Sequence, residues 1–343
     1  MRARSPGRWE SARDVLAECR RAQEQFAALK QEGLAEVEAT LSAKEVRHLT
    51  HTVFRINGLI YLYDLLHGKR HDTRLGVLLG SITYLLDHVY DHRIVTQADA
   101  EPFERLVMLT GTPRNDPLEH SLRRCAEEMW ERVPDPESLR RRLGLMIETQ
   151  RETMAQANAH RMPRDELERL THEKGHRSLC LYFTAVNPEF DPREAAALRK
   201  FGLYMQYMDD LEDFYEDRAE ARQSPVANPL HGALRATSLL YKALPDMRDH
   251  YEPRCEGRFG VVTTWISLYH ASILSACATR EVTRRLPTRL RLWADGFTER
   301  REKQSPLFSA APVALSYLRA SSSDQPAADS SQASLSSDFV SRP

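Results

Sequence analysis

Aspartates at regular helical intervals follow a strongly apolar segment in the second half of the chain. In the run Asp209-Asp210-Leu-Glu-Asp213-Phe-Tyr-Glu-Asp217, three of them are spaced i, i+4, i+8. On a helix this spacing places Asp209, Asp213 and Asp217 on one face, where like charges destabilise the helix unless a cation binds between them. Carboxylate oxygens on one stripe suit Mg²⁺, which keeps several waters and reaches substrate phosphates. The run therefore predicts a magnesium site.

A second pair of aspartates with the same spacing lies far upstream. Asp87 and Asp91 occur in Leu-Leu-Asp87-His-Val-Tyr-Asp91-His, near the C-terminal end of an apolar helix. Acids at a helix C-terminus oppose the macrodipole. Because this unfavourable arrangement occurs twice, a solvated acidic edge explains it less well than a ligand does. The two sites together predict a clamp around a phosphorylated substrate.

These motifs resemble those of the class I isoprenoid (terpenoid) synthase superfamily, which includes terpene cyclases, trans-prenyltransferases and squalene/phytoene synthases. Asp87 and Asp91 resemble its aspartate-rich motif in a DxxxD form. The segment from Gln206 to Asp213 resembles the prenyltransferase pattern FQxxDDxxD. The later aspartates are also similar to the cyclase pattern NDxxSxxxE, with Asp at its Asn, Ser and Glu ligand positions. They are similar to the squalene/phytoene pattern QxxNxxRDxxED as well, with Asp at its Asn position. The likeness spans most of residues 60–303.

The resemblance implies a fold, a cofactor and a set of roles. The fold would be an all-α, single-domain helical bundle around a central apolar cavity, with Mg²⁺ held against a prenyl diphosphate. Gln206 and Asp210 would contact that substrate. Metal ligation and catalysis would fall to five carboxylates: Asp87, Asp91, Asp209, Asp213 and Asp217.

The resemblance also implies cationic residues that would bind diphosphate, through partial matches to family motifs. Lys174 and Arg177 lie in Glu-Lys-Gly-His-Arg-Ser, which resembles the Lys-Thr-Gly helix break of prenyltransferases without its Thr. Arg300 and Arg301 lie where cyclases carry an Arg-Tyr pair, although no Tyr follows here. The segment 68–74, Gly-Lys-Arg-His-Asp-Thr-Arg, resembles the GKRxRP diphosphate site.

Aromatic and small residues near the motifs would form the wall of the cavity. A carbocation needs a dry site with aromatic faces. Tyr84 and Tyr204 are candidates for those faces, and Thr83 and Gly80 would leave depth for an isoprenoid chain. Further aromatic candidates are Tyr90, Phe201 and Tyr207.

Within the superfamily the first motif favours a terpene cyclase, since it lacks the DDxxD form of trans-prenyltransferases. The product would then be a terpene hydrocarbon or alcohol. A trans-prenyltransferase and a squalene/phytoene-type condensing synthase remain alternatives. From other classes, an HD-type phosphohydrolase would use His71-Asp72 with further histidines, and a non-catalytic helical scaffold would use none of these residues. A di-iron bundle needs paired ExxH motifs; the chain has Glu45-x-x-His48 and Glu173-x-x-His176, and neither belongs to the aspartate motifs.

Bulk composition is that of an ordinary protein surface. The 343 residues carry 48 Lys and Arg against 49 Asp and Glu, which does not favour nucleic acid as a partner. Five scattered cysteines indicate reduced thiols and a cytoplasmic location. The most apolar stretch, 260–278, contains Ser, Thr and His, so we expect a buried core helix and no transmembrane segment. A homodimer is compatible with all of this.

Apolar residues recur with helical period throughout the chain, and no run alternates with period two. We predict a flexible N-terminus over 1–8, one all-α domain over 9–319 and a disordered Ser-rich tail over 320–343. The predicted helices are 9–31, 35–67, 72–92, 100–110, 117–132, 136–160, 164–185, 192–220, 229–249, 258–285 and 287–303.

Overall fold

A computed structural model describes residues 8–94, 96–154, 162–219, 222–255 and 257–285. Within these ranges the chain forms helices and no strand. The predicted all-α class is therefore confirmed. The expected helix 287–303, the Ser-rich tail and the first seven residues lie outside the described residues.

Helices account for most of the described chain. A π-helical turn, Lys30–Leu34, joins the first two of them. In chain order they are α1 Arg8–Leu29, α2 Ala35–Glu38, α3 Ala43–His67, α4 Thr73–His92, α5 Gln97–Val107, α6 Pro117–Arg132, α7 Pro136–Thr153, α8 Arg164–Thr184, α9 Pro192–Glu212, α10 Phe214–Ala219, α11 Pro229–Tyr251 and α12 Phe259–Arg285.

Asp-Pro and Asn-Pro dipeptides mark four helix starts at the predicted positions. Proline is favourable at the first helical position because no N–H is needed there. The residue before each proline caps the helix with its side chain, which accepts backbone N–H groups of the first turn. These cap residues are Asp116, Asp135, Asp191 and Asn228.

Two predicted helices are divided in the structure. The expected helix 35–67 breaks between α2 and α3, where Ser42 and Glu45 form a capping box that starts α3. The expected helix 192–220 breaks at Asp213, which separates α9 from α10. The break is slight, since Asp213 donates its N–H to the carbonyl of Asp209 and Asp217 donates to Asp213. The three aspartates therefore keep a nearly helical spacing.

Glycines allow two helix pairs to cross at very short range. A Cβ on Gly175 of α8 would lie 2.2 Å from the carbonyl oxygen of Gly202 on α9. A Cβ on Gly80 of α4 would lie 2.6 Å from the Cα of Val53 on α3. Both distances are below van der Waals contact, so no larger residue fits without a shift of the backbone. The two helices that carry the aspartate motifs, α4 and α9, therefore lie directly against α3 and α8, respectively.

The last described helix is less buried than expected. The part of α12 from Phe259 to Thr279 has a mean hydropathy of 1.3 and is long and apolar enough to cross a membrane. Only 33% of the 18-residue apolar stretch within it is buried in the structure. A soluble core helix would be mostly buried. Leu268, for example, is 55% exposed.

The α8–α9 crossing yields a prediction about stability. Gly175→Ala should destabilise the fold by about 1–3 kcal/mol or more, because the new methyl group meets the backbone carbonyl of Gly202. Gly144→Ala in α7 is the matched control, since nothing lies within 4 Å of a Cβ there. It should be neutral or stabilising by about 0.5–1 kcal/mol. Urea unfolding of the two variants measures both effects, and equal stability would contradict the proposed close contact.

Candidate functional site

The two aspartate motifs face one cavity. It has a volume of about 470 Å³ and is walled by residues of α3, α4, α7, α8, α9 and α10 together with the segment 222–225. The structure thus brings together side chains that lie more than a hundred residues apart in sequence. All six aspartates of the motifs line it: Asp87, Asp91, Asp209, Asp210, Asp213 and Asp217.

Lys174 of α8 lies among these carboxylates. Burial alone would lower its pKa, but Asp87, Asp209, Asp91 and Asp210 outweigh that effect and raise the pKa above its ordinary value. The lysine therefore stays charged at neutral pH. Its position follows from the glycine crossing, because Lys174 directly precedes Gly175 on α8.

Arg55 of α3 contacts the second motif. Its Nη1 donates to Asp209 Oδ1 at 2.5 Å and lies 3.5 Å from Glu212 Oε2. Burial would raise the pKa of Asp209, but the charges of Arg55 and Lys174 outweigh burial, so that the pKa lies below its ordinary value. Asp209 is therefore ionised and held toward α3.

Two amide side chains orient two of the carboxylates. Gln150 of α7 donates its Nε2 to Asp87 Oδ1 at 3.1 Å, and Gln206 donates to Asp210 Oδ1 at 3.0 Å. The amide oxygen of Gln150, Oε1, and the second carboxylate oxygen of Asp210, Oδ2, are buried and have no hydrogen-bond partner among the described residues. Buried acceptors without partners are uncommon in folded proteins, and each calls for an explanation.

Crowding of the carboxylates changes their acidity. Burial, aided by Asp91 and Asp209, raises the pKa of Asp87 to about 6. Burial and the charge of Asp209 raise the pKa of Asp210 to about 7. The pKa of Asp213 is raised well above its usual value by burial and by neighbouring acids. Lys174 and Arg55 therefore do not neutralise the cluster, and a further cation would be favoured there.

One ion pair joins the two motif regions at the cavity. Arg222, which follows α10, lies with Nη1 3.1 Å from Asp91 Oδ1 on α4. The described cavity wall thus holds six aspartates against three permanently charged cations, which are Arg55, Lys174 and Arg222.

A small apolar pocket adjoins the cavity. The two share Asp87, Tyr90 and Gln150 in their walls. The pocket has a volume of about 40 Å³, which corresponds to roughly three water molecules at the 10–15 Å³ that one water needs. Its remaining wall is almost wholly apolar: Leu79, Ile82, Thr83, Leu86, Met129, Leu139, Leu143, Met146, Ile147, Leu181 and Tyr182.

The predicted wall residues divide between the cavities and the core. Tyr84 lines the larger cavity and Thr83 the apolar pocket. Tyr204 is fully buried away from both, with its hydroxyl 3.4 Å from His270 Nδ1. Gly80 provides no depth, contrary to expectation, because α3 packs directly against it. Phe201 and Tyr207 belong to the core and line neither cavity.

The predicted cationic residues are also divided. Arg177 is directed away from the cavity and donates to Thr149 Oγ1 at 2.9 Å and to the carbonyl of Leu145. The helix break expected at Lys174-Gly175 is absent, since α8 runs unbroken from Arg164 to Thr184. Arg74 of the segment 68–74 pairs with Glu128 and Glu32 outside the cavity. Arg300 and Arg301 lie outside the described residues.

Several residues of the cavity were not predicted from sequence. The clearest are His48, Thr52 and Arg55, which are spaced i, i+4, i+7 on α3 and line the cavity together. This polar stripe on a largely apolar helix could have been recognised from the sequence as a candidate part of the site. Gln150 and Arg222 gave no such signal, because each comes from a different element and only the tertiary fold brings it to an aspartate.

No protein-family model matches the chain, and no curated protein is significantly similar to it.

The acidity of Asp210 yields a prediction. Asp210→Asn should stabilise the metal-free protein at pH 8, on the order of 2 kcal/mol, because the wild-type carboxylate is ionised there although the fold raises its pKa to about 7. Asn retains the acceptor for Gln206. The unfolded chain ionises near its ordinary value, so the wild-type penalty is full above about pH 7 and disappears as the pH falls toward 4.

Thermal unfolding in EDTA across this pH range measures the difference. Asp14→Asn, at an exposed position on α1, is the control and should change stability little at any pH. A variant that is no more stable than wild type at pH 8 would show that Asp210 is not strained in the fold.

Proposed function

We propose that the protein is a Mg²⁺-dependent class I isoprenoid synthase that ionises a prenyl diphosphate, and that it acts as a terpene cyclase. The observation that supports this most is the meeting of both aspartate motifs with Lys174 in one cavity. A volume of about 470 Å³ falls within the roughly 300–1,000 Å³ range of small-molecule sites.

The donor set fits Mg²⁺. Asp87, Asp91, Asp209, Asp213 and Asp217 offer only carboxylate oxygens, which this ion prefers. The unpartnered Asp210 Oδ2 and Gln150 Oε1 could accept hydrogen bonds from water held by the ion. Bound Mg²⁺ would supply the positive charge that stabilises a departing diphosphate.

The chain's own cations would act on the same leaving group. Lys174 remains charged among the aspartates and can donate to a phosphate oxygen. Arg55, which pairs with Asp209 and Glu212, places a second positive charge in the same cavity wall. Breaking the carbon–oxygen bond leaves both bonding electrons on the diphosphate, so positive charge fixed beforehand at that end of the cavity lowers the barrier.

The other end of the substrate would meet the apolar pocket. Its wall excludes water from a carbocation, and Tyr90 and Tyr182 offer aromatic faces there. The pocket of about 40 Å³ holds only a few carbon atoms in this conformation. A longer prenyl chain would require flexible wall side chains such as Met146 to move. These dimensions favour a short prenyl diphosphate.

The other functional classes gain less from the structure. An HD-type phosphohydrolase would use His71, but this side chain bonds to Asp64 at 2.7 Å and does not line the cavity. A non-catalytic scaffold leaves unexplained why six acids line one cavity. A trans-prenyltransferase or a squalene/phytoene-type synthase would use the same aspartate clamp for the diphosphate. Each differs from a cyclase in that it joins a second prenyl substrate to the first.

Product analysis tests the proposed reaction directly. The protein should release diphosphate from a C10, C15 or C20 prenyl diphosphate in Mg²⁺, and EDTA should abolish release. A hydrocarbon or alcohol from a single substrate selects the cyclase. A longer diphosphate formed only with isopentenyl diphosphate selects the prenyltransferase, and a condensed product of two equal chains selects the squalene/phytoene branch. Absence of diphosphate release from every substrate would exclude the synthase.

A charge-neutralising variant tests the role of the second motif. Asp213→Asn should lower turnover about 10²- to 10³-fold because it removes a metal-binding carboxylate. The fold should be retained, since the raised pKa of this half-buried acid already favours its neutral form. Asp246→Asn, outside the cavity in an ion pair with Lys200, should leave turnover unchanged. Circular dichroism of both variants checks folding, and full activity of Asp213→Asn would rule out ligation by this residue.

A further inference from the structure

Two histidines and a glutamate gather where the C-terminal end of α4 meets the start of α3. His88 and His92 are one turn apart on α4, and Glu45 lies in the first turn of α3. One ligand atom from each residue lies within 4.8 Å of the other two. His88 Nδ1 lies 3.6 Å from Glu45 Oε1. None of these residues has a part in the proposed aspartate clamp.

The carboxylate of this group is held in place by the backbone. Glu45 Oε2 accepts the N–H of Ser42 at 2.6 Å, as part of the capping box that begins α3. Its other oxygen, Oε1, faces His88. Carboxylates fixed by a second hydrogen bond are typical of metal sites, because the outer contact orients the ligand.

The two imidazoles lie next to each other, with His88 half-buried and His92 exposed. The His88 ring is stacked on Tyr84, with ring centroids 5.9 Å apart and planes 22° apart. The His92 ring lies 4.7 Å from the His88 ring, centroid to centroid. The i, i+4 spacing on α4 keeps both rings on one face of the helix.

We propose that Glu45, His88 and His92 form a binding site for a divalent transition metal ion of the Zn²⁺ type. Two imidazole nitrogens and one carboxylate oxygen are a common Zn²⁺ set, whereas Mg²⁺ takes oxygen ligands. Bonds of about 2.0–2.2 Å to a tetrahedral ion separate its ligand atoms by roughly 3.4 Å. The distance of 3.6 Å between Glu45 and His88 already approaches this value.

Three protein ligands leave a fourth position for water or a ligand, as in catalytic zinc sites. His88 also belongs to the wall of the large cavity. The chain would therefore carry two chemically different cation sites side by side, one of oxygen ligands for Mg²⁺ and one of mixed ligands for Zn²⁺.

Metal binding by the untagged full-length protein tests this site. After treatment with EDTA and dialysis, the protein should bind one equivalent of Zn²⁺ by isothermal titration calorimetry, and Co²⁺ should give a visible d–d spectrum. His88→Ala and His92→Ala should each weaken binding tenfold or more. Glu45→Gln should weaken it while preserving the fold, because Gln also completes a capping box.

Two controls separate this site from others. His120→Ala, at an exposed position on α6, should bind Zn²⁺ like wild type. Asp213→Asn should also bind normally, because its carboxylate belongs to the aspartate cluster. No stoichiometric binding, or binding that is insensitive to both α4 histidines, would overturn the proposal. Loss of Zn²⁺ binding in Asp213→Asn with retention in His88→Ala would place the ion in the aspartate cavity and overturn it as well.

Discussion

Repulsion among half-buried carboxylates is the constraint around which the cavity is organised. Burial and mutual repulsion raise the pKa of Asp87 to about 6 and of Asp210 to about 7. Arg55 and Lys174 offset part of this repulsion and keep Asp209 ionised. Because three cations face six aspartates, the fold retains an unfavourable electrostatic energy that a bound cation would relieve. Such strain is more common at functional sites than at purely structural ones.

Close helix packing makes this crowding possible. The Gly175–Gly202 contact lets α8 lie against α9, and the contact of Gly80 with Val53 lets α4 lie against α3. Each pair thereby joins an acidic helix to a helix that carries a cation, Lys174 on α8 or Arg55 on α3. Charge compensation in the cavity therefore depends on residues that have no side chain at all. The same packing removes the depth that small residues were expected to leave for a substrate.

The polar and apolar parts of the cavity meet at a few shared residues. Asp87, Tyr90 and Gln150 border both the aspartate cluster and the apolar pocket. A substrate with an anionic head and a hydrocarbon chain would fit such a boundary, with the head toward Lys174 and the chain toward Met146. The Glu45–His88–His92 group, of which His88 lines the larger cavity, offers two nitrogen ligands and one oxygen ligand. Neighbouring sites with different donor atoms can select different ions without competing.

The sequence by itself determined the helical class, most helix boundaries and the aspartates of the cavity. These features are local: apolar period, Asp-Pro and Asn-Pro starts, and carboxylates four residues apart all depend on near neighbours in the chain. Only the tertiary structure decided which other residues join the aspartates. It placed Arg55, Gln150 and Arg222 at the cavity and directed Arg177 away, because those positions depend on how distant helices cross. Where the helices cross is set by steric contact between glycines and the backbones that face them. These contacts join residues far apart in the chain, so the spacing of neighbouring residues does not predict them.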